Sequence, residues 1–579
     1  MPLAPSVARA PLAPPTEGDA ERAPAEGSPA VARIAASIAL AACLLVVAYP
    51  IVRAIQLGTS WLGAFEESFG YRYFYGLRWL YLADQELWLP QGQLAGVVHH
   101  AINLALSAAG LAPFDEDVFF LRANIFHYAA VAIPALLTVG ALALVLSMAS
   151  RGPGRPLLAV LLLLPIFGWE NRGIDNSMRP DYHGFIYPIY LLATAAAIRI
   201  VDGRRPVTWR FAVLVGVLCG CALMLKPTFL PLPITLGLLL LTTRRLDRAH
   251  LARVAIVPPV AFATLVVVFA LQYLRSISQY PKLLSNVFDF VQSVAGTDKV
   301  PYADWFVAQV TTESYVLRVT LCLPILVPLL YLAGGSRRWL RMLVALAPGL
   351  AFYAYYVYAR WERVTYLEAT SFGVLCLTLL VADLDRHALL RRLIPTRPIL
   401  RRLSTIAGLA VLAGAVPYFL VAGEVYVQSG QRGSDFTKRA WAYVQGLPGR
   451  QLFMIPNVAY HPPSVDPAIF KGGWEGWDYR TGAYANERLF EMFPRRDFIS
   501  AATTRDATLD LDDYDALLIY LSDPTKVDTI VETIGRLYPV APNRPRNMRR
   551  WAVAEMMPQV GADFGRIVVI RRPDRPVSR

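Results

Sequence analysis

From residue 34 to residue 421 the chain repeats one pattern, in which an apolar run is followed by a short polar segment and then by another apolar run. The runs fall near residues 34–52, 128–150, 156–169, 185–201, 211–225, 229–243, 254–272, 315–334, 341–359, 366–384 and 404–421. Most approach the ~20 residues a helix needs to cross ~30 Å of hydrocarbon. Strands would show a period of two, and the runs do not. The pattern therefore predicts a polytopic α-helical membrane protein with about eleven transmembrane helices.

The polar segments between the runs fix an orientation. Arginines cluster at Arg151 and Arg155; at Arg204, Arg205 and Arg210; at Arg244, Arg245, Arg248 and Arg253; at Arg337, Arg338 and Arg341; and from Arg386 to Arg402. These clusters occupy alternate loops, and cationic loops are retained in the cytoplasm. With the N-terminus inside, every cluster lies on the cytoplasmic side. The segments left outside are a long first loop (54–127), a short loop at 170–184, a loop at 273–314, the turn from Arg360 to Thr365, and everything after about 422.

Composition changes the picture little. Hydrophobic residues make up 55% of the chain and charged ones 17%, with a mean hydropathy of +0.41; soluble domains carry about 25% charge. The net charge of +13 is accounted for by the cytoplasmic arginines, and without a reading motif it gives no support to nucleic-acid binding. Residues 1–30, rich in Ala, Pro and Glu, read as a disordered cytoplasmic tail. Leu40-Ala41-Ala42-Cys43 has the form of a lipoprotein cleavage box, but the apolar run continues past it, which favours a retained first helix. All five cysteines lie inside apolar runs, so no disulfide framework is expected.

After residue 421 the pattern changes. Phe436–Gln445 and Thr525–Arg536 carry helical periodicity, and Gln451–Ile455, Ala516–Leu521 and Arg566–Arg571 read as short strands. Gly449, Pro456, Pro462, Pro463 and Gly472-Gly473 punctuate them as turns. The expected organisation is a tail (1–30), a membrane domain (31–421) and an extracytoplasmic α/β domain (422–579).

Candidate chemistry gathers in the outer segments. The first loop opens with Glu66-Glu67, followed by Tyr71, Tyr73, Phe74, Tyr75, Trp79 and Tyr81, and later carries Asp115-Glu116-Asp117. Such aromatics suit the membrane interface and predict a helix lying on the membrane surface within this loop. Paired carboxylates there can serve as a general base or hold a divalent cation; a solvated acidic turn is the alternative. The second loop contains Arg179-Pro180-Asp181-Tyr182-His183, a density of polar groups that a membrane protein tolerates where it lines a wet cavity. Asp181 sits at a helix N-terminus and can equally act as an N-cap.

Lys226 ends the fifth run, where it either snorkels to the interface or meets an anion such as a lipid phosphate. Arg360 and Arg363 close the ninth run on the outer side, against the positive-inside bias, with Glu362 or Glu368 as alternative partners. His99, His100, His127 and His183 show no metal-ligand spacing, and there is no Walker loop, Rossmann glycine fingerprint or G-x-S-x-G elbow.

This combination resembles the GT-C superfold of membrane glycosyltransferases. Glu66 and Glu67 match its acidic motif at the start of a long first outer loop, Pro180-Asp181 its acidic residue before the fourth span, and Lys226-Pro227-Thr228 a Lys-Pro segment near the fifth and sixth spans. Most members show Asp in the first motif where this chain has Glu, and Arg363-Val364-Thr365-Tyr366 is a loose counterpart of a later Arg-Tyr segment. The resemblance implies a polyprenyl-phosphate-sugar donor and a glycan, lipid or protein acceptor at the extracytoplasmic face of a bacterial inner membrane, with inversion at the anomeric carbon. Glu66, Glu67 and Asp181 are the implied bases, and Lys226, Arg179, Arg360 and Arg363 the implied ligands of the lipid phosphate. Tyr182 and His183 are the remaining substrate contacts; a divalent cation is left open. The rival readings are a non-catalytic membrane subunit that binds polysaccharide or protein, and a transporter or flippase. The spans carry few of the mid-membrane charges that transport requires.

Overall fold

The structure is a computed structural model, described here for residues 29–58, 93–111, 119–149, 155–168, 174, 177–178, 182–202, 206–243, 247–273, 315–333, 338–360, 366–386, 398–449, 451–455, 496–500, 515–521, 552–558 and 566–571. Its helices are α1 (Pro29–Leu57), α2 (Gln93–Ala108), α3 (Phe119–Ala149), α4 (Arg155–Phe167), α5 (Ile186–Asp202), α6 (Trp209–Leu225), α7 (Pro231–Thr243), α8 (Arg248–Ala255), α9 (Val257–Tyr273), α10 (Tyr315–Ala333), α11 (Trp339–Arg360), α12 (Tyr366–Arg386) and α13 (Pro398–Gln445). Each of the eleven apolar runs falls on one of these helices. Five stretches are long and apolar enough to cross a membrane: Arg33–Leu57, Asn124–Ala149, His183–Asp202, Arg248–Val268 and Thr405–Arg432. Apolar helices of this kind mark a membrane protein.

Helix α5 is the centre of the bundle. Of its apolar window 83% is buried, against 17% in the Arg248–Val268 stretch, and it packs on α3, α6, α7 and α12. The outer helices turn large apolar side chains away from the core, among them Leu136, Leu214, Phe262, Ile406 and Val421, each more than 60% exposed. Water would penalise such a surface, and hydrocarbon would not.

Small residues set the contact between α6 and α9. On α6, Gly216 and Gly220 face α9, and a Cβ at Gly220 would lie 2.6 Å from the Thr264 Cβ and 2.7 Å from the Ala261 carbonyl oxygen. Two glycines four apart let helix backbones meet where lipid offers no hydrophobic drive for association.

Three expected boundaries shift. The first loop (54–127) is shorter, because α1 continues to Leu57 and α3 begins at Phe119 rather than near 128. Hydropathy stops at Arg122, Asn124 and His127, yet Arg122 is fully buried, donating to the Leu111 carbonyl at 3.2 Å and to Asn103 Oδ1 at 2.9 Å. Bonds of this kind keep a polar helix start inside the bundle. The loop also holds α2, which packs on α3, α6 and α9. The tail boundary moves to Pro29, where α1 begins.

The boundary at 421/422 falls within a single helix. α13 runs unbroken for 48 residues, about 70 Å at 1.5 Å per residue, and contains the predicted Phe436–Gln445 helix. Glu424 interrupts its apolar sequence but accepts from Tyr49 at 2.7 Å and from Arg53 at 3.1 Å, clamping α13 to α1.

Beyond α13 lie β1 (Gln451–Ile455), β2 (Arg496–Ser500), β3 (Ala516–Leu521), β4 (Ala552–Met556) and β5 (Arg566–Arg571). They form one mixed sheet in the order β2-β1-β3-β5-β4, with β1 parallel to β2 and β3, and β5 antiparallel to β3 and β4. Val568, Val569 and Ile570 are consecutive and fully buried, so both faces of the sheet are covered at β5. Gly449 turns the chain from α13 into β1 with φ +84°, and a Cβ there would sit 2.5 Å from Asp515. The predicted Thr525–Arg536 helix lies outside the described residues.

Candidate functional site

A buried polar cluster joins four segments of the bundle. Helix α6 ends at Lys226, whose backbone is extended (φ −163°, ψ 138°) as it enters the 3-10 turn Pro227–Phe229. Proline at 227 cannot donate the hydrogen bond that would continue the helix, so the chain breaks there and leaves Lys226 at the terminus. Lys226 Nζ lies 3.0 Å from Glu368 Oε1, and both side chains are almost wholly buried. The ammonium sits at a helix C-terminus and the carboxylate in the first turn of α12, so each charge is next to the dipole end that favours it.

The cluster extends through three hydroxyls. Thr228 Oγ1 donates to the same Glu368 Oε1 at 3.0 Å, and Tyr353 of α11 donates to the Thr228 carbonyl at 3.0 Å. Tyr353 has one proton, and it is committed to that carbonyl. In the contact between the Tyr190 and Tyr353 hydroxyls, Tyr190 of α5 is therefore the donor. Phe229 stacks at 5.0 Å on Tyr190, Phe372 lies 5.5 Å from Tyr353, and Gly349 makes room for the Phe372 ring. Glu368 Oε2 is buried with no hydrogen-bond partner among the described residues, and Ser371 Oγ, one turn further along α12, is in the same state.

A buried ion pair in an apolar bundle is costly to form and more costly to break. Ionisable side chains at membrane depth mark functional sites more often than structural ones. What this cluster can do chemically is hold an oxyanion, since an ammonium and a hydroxyl converge on one oxygen.

The other predicted site residues are placed as follows. His183 is buried in the 3-10 turn Tyr182–Phe185 that leads into α5. This turn packs against α2, α3 and α5, which brings the second loop against the helix of the first. Arg360 is the last residue of α11. Glu66, Glu67, Arg179, Asp181, Arg363 and the acidic run Asp115–Asp117 lie outside the described residues, as does the side chain of Tyr182. Among the described residues no cluster of three or more His, Cys, Asp or Glu is arranged to hold a metal ion, and the five cysteines are free.

Glu368 enters the sequence reading only as an alternative partner for the outer arginines; the structure gives it to Lys226. The local signal is Thr365-Tyr366-Leu367-Glu368, which has capping-box spacing and marks a helix start without naming a partner. Tyr190 and Tyr353 carry no signal beyond their places in apolar runs. The chain matches no protein-family model and no curated protein.

Proposed function

We propose that this protein is a GT-C-type membrane glycosyltransferase that moves a sugar from a polyprenyl-phosphate donor to a hydroxyl acceptor outside the cytoplasmic membrane. One observation carries the reading furthest: α2, from the first outer loop, packs against the turn that follows Asp181 and against α6, the helix that Lys226 ends. That α2 touches both the turn after Asp181 and the helix that Lys226 ends supports a shared site for the proposed base and the proposed phosphate ligand. A helix in a long first loop, lying against the spans, also supports the resemblance in architecture.

In this reading Glu66, Glu67 or Asp181 accepts the proton of the acceptor hydroxyl, raising its nucleophilicity. The hydroxyl attacks the anomeric carbon opposite the phosphate, the glycosidic C–O bond to phosphate breaks, and polyprenyl phosphate leaves with the bonding pair. Lys226, Arg179, Arg360 and Arg363 stabilise the charge that develops on it. Eleven spans and an extracytoplasmic C-terminal sheet domain complete the proposal.

The test is release of polyprenyl phosphate from a panel of polyprenyl-phosphate sugars by the purified protein with membrane extract as acceptor source. Glu66→Gln, Glu67→Gln and Asp181→Asn would run alongside, each checked for folding. Release from one donor, lost in one folded carboxylate variant, is the expected result. No release from any donor would sink the transferase and leave the binding subunit.

A further inference from the structure

Lys226 and Thr228 are two residues apart across Pro227; the Lys226 ammonium forms an ion pair with Glu368 Oε1 at 3.0 Å, and Thr228 donates a hydrogen bond to the same oxygen at 3.0 Å. A cation and a hydroxyl donor on one oxygen form a site for an oxyanion, and here the oxyanion is supplied by the chain itself. The carboxylate is only half used, because Oε2 is buried without a partner among the described residues. A buried acceptor left unbonded opposes the arrangement that holds it. We propose that Glu368 is the resident anion of an exchange site, holding Lys226 and Thr228 together until a phosphate oxyanion takes its place.

The proposal rests on the transferase reading for the source of that phosphate, and otherwise on the cluster alone. A phosphate monoester offers three oxygens where the carboxylate offers one well-bonded oxygen, and Lys226 and Thr228 need move little to accept it. When phosphate leaves, Glu368 returns to Lys226 and Thr228. Glu368 is thus a positioning residue acting through Lys226, and it disfavours phosphate binding for as long as it occupies the site.

The test measures direct binding of a short-chain polyprenyl phosphate to the full-length protein in detergent, with and without inorganic phosphate as competitor. Glu368→Gln removes the resident charge and is expected to tighten binding roughly tenfold, the gain when a competent state held to about a tenth of the population is released. Thr228→Val keeps the ion pair and should weaken binding several-fold. Lys226→Met/Glu368→Met should bind neither probe. Competition by inorganic phosphate would identify the headgroup as the whole ligand, and its failure would show that the lipid chain contributes.

Binding unchanged or weakened in folded Glu368→Gln overturns the exchange, as does unchanged binding in Thr228→Val. The same tightening in Glu424→Gln, which removes a negative charge elsewhere, would reduce the effect to bulk charge and overturn it too. If donor turnover is found while Glu368→Gln binds as the wild type does, the exchange fails alone. If neither the wild type nor Glu368→Gln binds phosphate, Lys226 as a phosphate ligand fails with it.

Discussion

Lys226 at the end of α6 and Glu368 in the first turn of α12 form an ion pair of 3.0 Å, with the two side chains 4% and 0% exposed. Removing Lys226 leaves the buried Glu368 carboxylate without its cation. Lys226→Met should therefore destabilise the protein by about 3–5 kcal/mol, whereas Lys226→Met/Glu368→Met should recover most of the loss or all of it. Thermal unfolding in detergent would read both, and a single variant that melts like the wild type would mean that water reaches the pair.

The α6–α9 contact gives a contrast within one residue type. Gly220→Leu would force α6 and α9 apart, since its Cβ alone falls 2.6 Å from Thr264, and should cost about 1–3 kcal/mol or more. Gly237→Ala on α7 meets nothing within 4 Å and should be neutral or stabilise by up to about 1 kcal/mol through helix propensity. Melting temperatures that fail to separate the two variants would contradict the packing.

Hydropathy locates the helices because lipid imposes a length and a composition on them, and it fails where that constraint is relaxed. The start of α3 was hidden by Arg122, whose polar partners at Leu111 and Asn103 cannot be read from a local window. In the sheet, Gln451–Ile455, Ala516–Leu521 and Arg566–Arg571 were legible and are the three interior strands. The strands without a clear sequence pattern, Arg496–Ser500 and Ala552–Met556, are the two edges. Edge strands commonly carry charge, and Arg496, Asp497 and Glu555 erase the apolar signal of these two in the sequence. The polar cluster was half legible. Lysine at the end of a span stands out, but its partner sits in a segment 140 residues beyond Thr228, a pairing that only the fold creates.

Arg122 pins α2 to α3. Its guanidinium bonds the Leu111 carbonyl and Asn103 Oδ1, so Arg122→Met should lose about 1.5–3 kcal/mol from charge-assisted bonds. The loss should be local. Amide exchange over residues 93–111 should rise well above that of α5, and equal protection in variant and wild type would show that α2 is held by its apolar contacts.

The last relationship concerns pH. Tyr443 lies on α13 beyond the apolar stretch, and burial, then the negative charge of Glu555, push its hydroxyl up to about 12 against the opposing pull of Arg571. A raised tyrosine pKa means that the folded state keeps the proton longer than the unfolded state does. The contribution is fully present below the ordinary tyrosine value near 10, and it is lost as pH rises from there through about 12. Arg571 holds Glu555 at 3.1 Å across the β4–β5 pair, and the charge of Glu555 is among the groups that raise the Tyr443 hydroxyl. The end of α13 should therefore loosen between pH 10 and 12, seen as faster protease cleavage near residues 446–450 by an enzyme active in that range. Tyr443→Phe, which has no proton to lose, should flatten that pH dependence, and an unchanged profile in the variant would assign the loosening to another group.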